Sequence, residues 1–106
     1  MAPTVVQMTF KLNMPGKEYA RAIAPLAHSV ADVTGLRWKI WLLNESTHEA
    51  GGIYLFEDED SANAFLRGQL VEQVKSAPII ADLHTTQFAV LDSLTAITRG
   101  PVMEHS

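Results

Sequence analysis

The chain has 106 residues, 47% of them apolar and 19% charged, and it carries a formal net charge of −4 at pH 7. This length and composition suit one globular domain with a modest core, while the scattered and mainly acidic charges argue against a nucleic-acid-binding face. Cysteine is absent, no apolar run reaches the roughly 18 residues of a membrane span, and the N-terminus lacks a basic export signal, so we expect a cytoplasmic protein that binds neither membranes nor nucleic acids.

The first third of the chain predicts a strand followed by a bent helix. Apolar and polar residues alternate from Thr4 to Leu12, which is the period of a strand with one buried face. Residues 13–16 break this pattern, and apolar residues then recur at helical spacing until Gly35, a typical helix terminator. Pro25 lies inside the helix and has no N–H to donate, so we expect a kink there.

The remainder of the chain predicts a hairpin, a second helix and a last strand. Residues 36–43 and 48–56 are rich in aromatic and branched side chains and flank the polar turn 44–47. Asp58 can cap a helix that must end before Pro78. Residues 83–91 again favour a strand, and residues 93–98 could form a last helical turn.

The order of these elements is βαββαβ, which predicts a ferredoxin-like α+β fold. With right-handed crossovers it gives a four-stranded antiparallel sheet of strand order 4-1-3-2, with both helices on one face. Residues 1–98 are expected to form a single domain. Gly100 and Pro101 interrupt residues 99–106, which we expect to be a flexible C-terminal tail.

The hairpin pattern also predicts which side chains share a face of the sheet. A turn centred on Glu45 and Ser46 would pair Trp41 with Ala50. On this basis the face under the helices would carry Leu36, Trp38, Ile40, Leu42, Gly51, Ile53 and Leu55. The helix-free face would carry Arg37, Lys39, Trp41, His48, Ala50, Gly52, Tyr54 and Phe56. Because exposed aromatic rings on a bare sheet face need covering, the pattern predicts a homodimer.

Two adjacent polar residues open the second hairpin strand and are candidate bases. Glu49 is the single charge on the face expected to lie under the helices, where desolvation would raise its pKa toward that of a general base. His48 points to the opposite face, so only one of the two can serve a given pocket. The run 50–52 lacks large side chains, which indicates a cavity or a close approach, although Trp38 and Trp41 fill such a space equally well.

The sequence contains no metal-binding or cofactor-binding signature. Its four histidines lack the spacing of a metal site, and phosphate-binding and nucleophile motifs are missing. The acidic stretch 57–60 precedes a helix, where capping and the helix dipole explain it. We therefore expect no cofactor and no metal ion.

The segments GLRWKIW (residues 35–41) and HEAGGIYLF (residues 48–56), followed by Asp58 and Glu59, resemble the YdhR family of small monooxygenases. The resemblance covers most of the chain, with the hairpin as its signature. It implies a dimeric α+β barrel related to cofactor-independent oxygenases that oxidise phenols and quinols.

The resemblance implies a monooxygenase that acts on a small aromatic molecule without a cofactor. Its site residues would be the catalytic His48 or Glu49 and the substrate-binding Trp38, Trp41, Tyr54 and Lys39, with Arg37 as a second cation for developing negative charge. Two alternatives stay open: an isomerase, cyclase or lyase of the same barrel superfamily, which needs only a base and a pocket, and a ligand-binding module without catalysis.

Overall fold

The computed structural model describes residues 3–102 of the chain. The strands are β1 (Thr4–Leu12), β2 (Leu36–Asn44), β3 (Glu49–Phe56) and β4 (Ile80–Ala89). The helices are α1 (Gly16–Ile23), α2 (Ala27–Ala31), α3 (Glu59–Leu66), α4 (Gln69–Ser76) and α5 (Asp92–Ile97). The sheet is antiparallel with the order β2-β3-β1-β4, so the predicted ferredoxin-like α+β topology is confirmed.

Each of the two long predicted helices is divided in two, the first at a proline and the second at a glycine. Pro25 lies in a single 3-10 turn between α1 and α2, because proline cannot donate the backbone hydrogen bond that would continue an α-helix. Gly68 separates α3 from α4 and has the extended backbone of an N-cap. Asp58 caps α3, since its Oδ1 accepts a 2.8 Å hydrogen bond from the Ser61 backbone N–H, and that bond lowers the pKa of Asp58.

The hairpin register differs by two residues from the predicted one. Trp41 lies opposite Gly52, and Asn44 pairs with Glu49 as the last pair before the turn. The turn therefore comprises residues 45–48, and the Asn44 side chain stabilises it by accepting a 3.3 Å hydrogen bond from the Thr47 N–H. This side-chain bond extends β2 by one residue and moves the centre of the turn.

The predicted choice of the helix-covered face is wrong. The rings of Tyr54 and Phe56 pack against Phe65 of α3, with centroid distances of 4.9 and 5.3 Å. The face under α1 to α4 therefore carries Ala50, Gly52, Tyr54 and Phe56, whereas Ile53 and Leu55 lie on the opposite face, which these four helices do not cover and which is called the helix-free face from here on. The alternation of side chains along a strand determines which residues share a face of the sheet. Which face the helices cover depends on packing, here that of the Tyr54 and Phe56 rings against Phe65. The main core lies between the helices and this face.

The C-terminal part of the described chain lies against the edge strand β2. The Trp38 indole N–H donates a 2.9 Å hydrogen bond to the Pro101 carbonyl, and Arg37 Nη1 donates one of 3.1 Å to the Val102 carbonyl. Val102 is buried. Residues 99–102 of the expected tail thus have defined contacts, and residues 103–106 lie outside the described residues.

Candidate functional site

A partly enclosed cavity of about 40 Å³, which we call the closed cavity because it is less open than the neighbouring groove, lies between the sheet and the helices. Side chains of β1 to β4 and of all the helices except α5 line it, and nearly all of them are apolar. Within residues 3–102, three lining residues carry ionisable groups: Tyr19 on α1, Lys39 on β2 and Tyr54 on β3. The chemistry available to the cavity therefore rests on one amine and two phenols.

The Lys39 ammonium lies between two aromatic rings. Its Nζ is 3.3 Å from the centroid of the Trp41 ring and 4.5 Å from that of Tyr54. Within residues 3–102, no carboxylate lies within ion-pair distance of Lys39, and burial lowers its pKa from the ordinary 10.5 to about 8. Among the described residues, the two ring faces are the groups that stabilise the cation, and they compensate for its burial less than an ion pair would.

Gly52 makes room for the Lys39 side chain. A Cβ atom at this position would lie 2.6 Å from Lys39 Cε and 3.0 Å from the Ile40 carbonyl oxygen. At Gly51, whose φ is 155°, a Cβ would collide with the Met8 carbonyl. The sequence run 50–52 therefore permits the close approach that its composition predicts: a backbone approaches one glycine and a lysine side chain approaches the other.

The two tyrosines of the cavity are neutral groups. Burial raises the pKa of both Tyr19 and Tyr54, so neither is a base near neutral pH. The Tyr54 hydroxyl donates to Met8 Sδ at 3.8 Å, and the Tyr19 ring packs edge-on against Phe10 at 5.9 Å. These contacts fix both rings in place.

An open groove of about 300 Å³ adjoins the closed cavity. It runs between α1, the 3-10 turn and the edge strand β2, and its lining is apolar. Tyr19, Ile23 and Trp41 line both spaces and so form the wall between them. Trp41 is 39% exposed, which means that part of its ring faces the groove and solvent.

The structure brings together Lys39, Trp41 and Tyr54 from the predicted site and leaves the other candidates outside it. Trp38 lies on the helix-free face, beside the C-terminal segment. Glu49 Oε2 is 3.8 Å from Lys11 Nζ at the half-exposed end of β3, on the helix-free face and not under the helices as predicted. His48 is exposed in the hairpin turn. Neither residue lines the cavity or the groove, so this geometry lends no support to the catalytic role predicted for them from the sequence, and a substitution at each position has to test it.

Sequence reasoning did not single out Tyr19 and Ile23, which complete the wall. Their only sequence signal is apolar helical spacing on α1, which is equally typical of an ordinary core. Within residues 3–102, no group of three or more histidine, aspartate or glutamate side chains could hold a metal ion. No helix in that range is long and apolar enough to cross a membrane.

The fold is shared with several solved structures. SnoaB, a cofactor-independent oxygenase from Streptomyces nogalater solved as a mutant, is 13% identical, with a TM-score of 0.68 over 86% of this chain and 95% of that chain. MhuD, a heme-degrader from Mycobacterium tuberculosis solved with two hemes in its active site, is 18% identical, with a TM-score of 0.62 over 82% and 95%. Protein NE2512 from Nitrosomonas europaea, described as of unknown function, is 20% identical, with a TM-score of 0.67 over 86% and 91%. These similarities show a common fold.

The sequence model of the family described as "Putative mono-oxygenase ydhR" matches residues 5–101, and the chain belongs to this family. The resemblance to the YdhR family is thereby confirmed, and with it the assignment of the chain to a family of monooxygenase-type enzymes. No curated protein sequence matches the chain significantly.

Proposed function

We propose that this protein is a cofactor-independent monooxygenase that oxidises a small phenol or quinol bound in the groove beside Trp41. The observation that carries the proposal is Lys39, a partly desolvated ammonium without a carboxylate partner in residues 3–102, which lies against the Trp41 ring. Such a cation favours an anionic oxygen on a bound aromatic ligand. The cofactor-independent oxygenase SnoaB, which shares the fold, is consistent with this chemistry.

The groove suits an aromatic ring better than the closed cavity does. Its volume of about 300 Å³ lies at the lower end of the range for small-molecule sites. The closed cavity, at about 40 Å³, has room for only a few small atoms. In the groove, a substrate ring would stack on Trp41, with Tyr19 beside it.

Lys39 would promote ionisation of the bound phenol from behind the Trp41 ring. Its Nζ is 3.3 Å from the Trp41 centroid. A phenolate stacked on the other face of that ring would then lie about 7 Å from the ammonium, an attraction of about 2 kcal/mol at an effective dielectric constant near 20. This attraction would lower the pKa of the bound phenol by about one pH unit or more.

The reaction would draw all of its electrons from the substrate. The phenolate transfers an electron to dioxygen, and the substrate radical and superoxide combine at a ring carbon that carries two hydrogens in the keto tautomer. The resulting peroxide loses water, so that the CH₂ carbon becomes a carbonyl. One oxygen atom enters the product, and the other leaves as water with the two hydrogens.

Oxygen uptake with an electron-rich phenol or quinol tests this proposal. Chelator-treated, cofactor-free protein should consume one oxygen molecule per carbonyl formed. Lys39→Met should lower kcat/KM by about 10- to 30-fold, the loss expected for about 2 kcal/mol of anion stabilisation, whereas Lys39→Arg should keep most of the activity. Product without oxygen uptake would instead support an isomerase or lyase, and saturable binding without turnover would support a binding module.

Haem degradation is less well supported by the site. Among residues 3–102, no histidine lines the closed cavity or the groove, so this part of the chain offers no imidazole ligand for haem iron in either space. A haem titration monitored by the Soret band checks this point. Stoichiometric binding followed by loss of the band in the presence of a reductant would replace the phenol proposal.

We further propose that the protein is a homodimer that pairs through its helix-free sheet face. Ile40 on β2 is 50% exposed, and Leu42 and Ile53 lie beside it; Phe88 on β4, at the other edge of this face and next to α5, is 52% exposed. An apolar surface of this kind favours association with a second copy. Light scattering should give twice the chain mass at micromolar concentration, and Ile40→Glu with Phe88→Glu should give the monomer. A wild-type monomer would refute this proposal.

A further inference from the structure

We propose that the closed cavity under the helices is a binding site for dioxygen. The inference rests on the proposed oxygenase function, because it assigns a place to the second substrate of that reaction. It follows from the size of the cavity, its lining and its position relative to the groove.

The size and lining of the cavity favour a small apolar guest. Its volume of about 40 Å³ exceeds the roughly 10–15 Å³ that a single water molecule needs and excludes an aromatic ring. Part of its lining is formed by Phe65 and Val71, which are buried, and by Val74 and Ile80. A buried water requires two to four polar partners, whereas dry apolar cavities take up guests such as xenon. This region provides no such partners.

The position of the cavity would bring dioxygen close to both the substrate and a cation. Trp41 separates the cavity from the groove, so dioxygen would lie one side chain away from a phenolate stacked on the outer ring face. Lys39 borders the cavity, and its ammonium would stabilise the superoxide formed when the phenolate gives up one electron. Rotation of the partly exposed Trp41 ring would open the wall for recombination of the two radicals.

The C–O bond then forms between the substrate radical and superoxide, and loss of water yields the carbonyl, as in the reaction described above. The cavity supplies no electrons to this sequence. Its role is to hold dioxygen beside Lys39 and apart from solvent until the substrate anion is present. The apolar lining also favours partition of dioxygen from water into the cavity.

Xenon under pressure tests the site without any need for turnover. Crystals of the intact protein should show xenon in the cavity against Val71 and Val74. Val71→Ile should remove the xenon peak by filling the cavity from α4. Val74→Leu, one turn further along α4, should have the same effect and serves as a second variant if Val71→Ile packs poorly. Val33→Ile, which adds the same methyl group outside the cavity, should leave the peak unchanged. Ordered water or an empty cavity in the pressurised wild type would overturn the proposal.

Steady-state kinetics with a phenol that the enzyme oxidises give the second readout. Val71→Ile should raise the KM for dioxygen by about threefold or more and leave the KM for the phenol within about twofold, since only the oxygen site has changed. An unchanged KM for dioxygen would overturn the oxygen site even if xenon binds. If xenon binds as expected but no phenol is oxidised, the proposed function fails while the gas-binding cavity stands, so the two failures are distinguishable.

Discussion

Replacing Lys39 by methionine should make the protein more stable at neutral pH. Burial lowers the pKa of Lys39 from 10.5 to about 8, which means that the folded protein disfavours the ammonium form. Below pH 8 the lysine is protonated in both the folded and the unfolded chain, and the folded state bears the full cost of the desolvated charge. Methionine has a similar length and no charge, so it removes this cost while it fills the same space.

The magnitude follows from the size of the pKa change and from what offsets it. A decrease from 10.5 to about 8 corresponds to about 3 kcal/mol at most. Because the ammonium is partly exposed and stacks on Trp41, solvent screening and the cation–π attraction reduce the expected gain to about 1 kcal/mol. Between pH 8 and 10.5 the unfolded chain binds more protons than the folded one, so the stability of the wild type rises with pH in this window.

Urea unfolding of both proteins between pH 7 and pH 10.5 measures this effect. The advantage of Lys39→Met should be about 1 kcal/mol at pH 7 and should shrink strongly by pH 10.5, where lysine is neutral in the folded chain and half protonated in the unfolded chain. Lys75→Met on the exposed side of α4 is the matched control and should show no such pH dependence. If Lys39→Met is less stable than the wild type at pH 7 and the difference is the same at every pH, the ammonium is not destabilised by burial and the reasoning fails.

Three further predictions concern single positions. Gly52→Ala should push Lys39 away from the two rings, because the new Cβ would lie 2.6 Å from Lys39 Cε. The variant should lower kcat/KM by about tenfold, and NMR titration should show the pKa of Lys39 returning toward its ordinary value. Asp58→Ala should lower the free energy of unfolding at pH 7, because it removes the cap of α3. Since folding lowers the pKa of Asp58, urea titrations should show this loss shrinking as the pH falls through the folded-state pKa. Glu49→Gln and His48→Asn should each leave turnover within about twofold, because neither residue lines the cavity or the groove, and a loss of about 10²-fold in either variant would identify that residue as the base.

Local rules of sequence were sufficient for the topology of this fold. The alternation in β1, the proline between α1 and α2 and the aspartate cap of α3 each specify an element from a few neighbouring residues. The order βαββαβ then leaves few possible sheet arrangements, so the strand order could be predicted from the chain alone.

The site required information that local patterns do not contain. The period of two groups Lys39, Trp41 and Tyr54 on one face, but it does not say whether helices or solvent cover that face. The packing of Phe65 against Tyr54 decides this, and it depends on residues that are distant in sequence. The assignment of Glu49 to the covered face was wrong for the same reason. Since the helices cover the other face, the Glu49 carboxylate lies at the end of β3 beside Lys11.

The ionisation of bound 4-nitrophenol is the most direct test of the central claim that Lys39 stabilises a phenolate beside Trp41. Its visible absorbance reports the phenolate form, so titration of the complex gives the pKa of the bound phenol. In the wild type this pKa should lie about one pH unit or more below that of free nitrophenol, as an attraction of about 2 kcal/mol requires. The lowering should persist in Lys39→Arg and vanish in Lys39→Met. A bound pKa equal to or above that of the free phenol in the wild type would contradict the account.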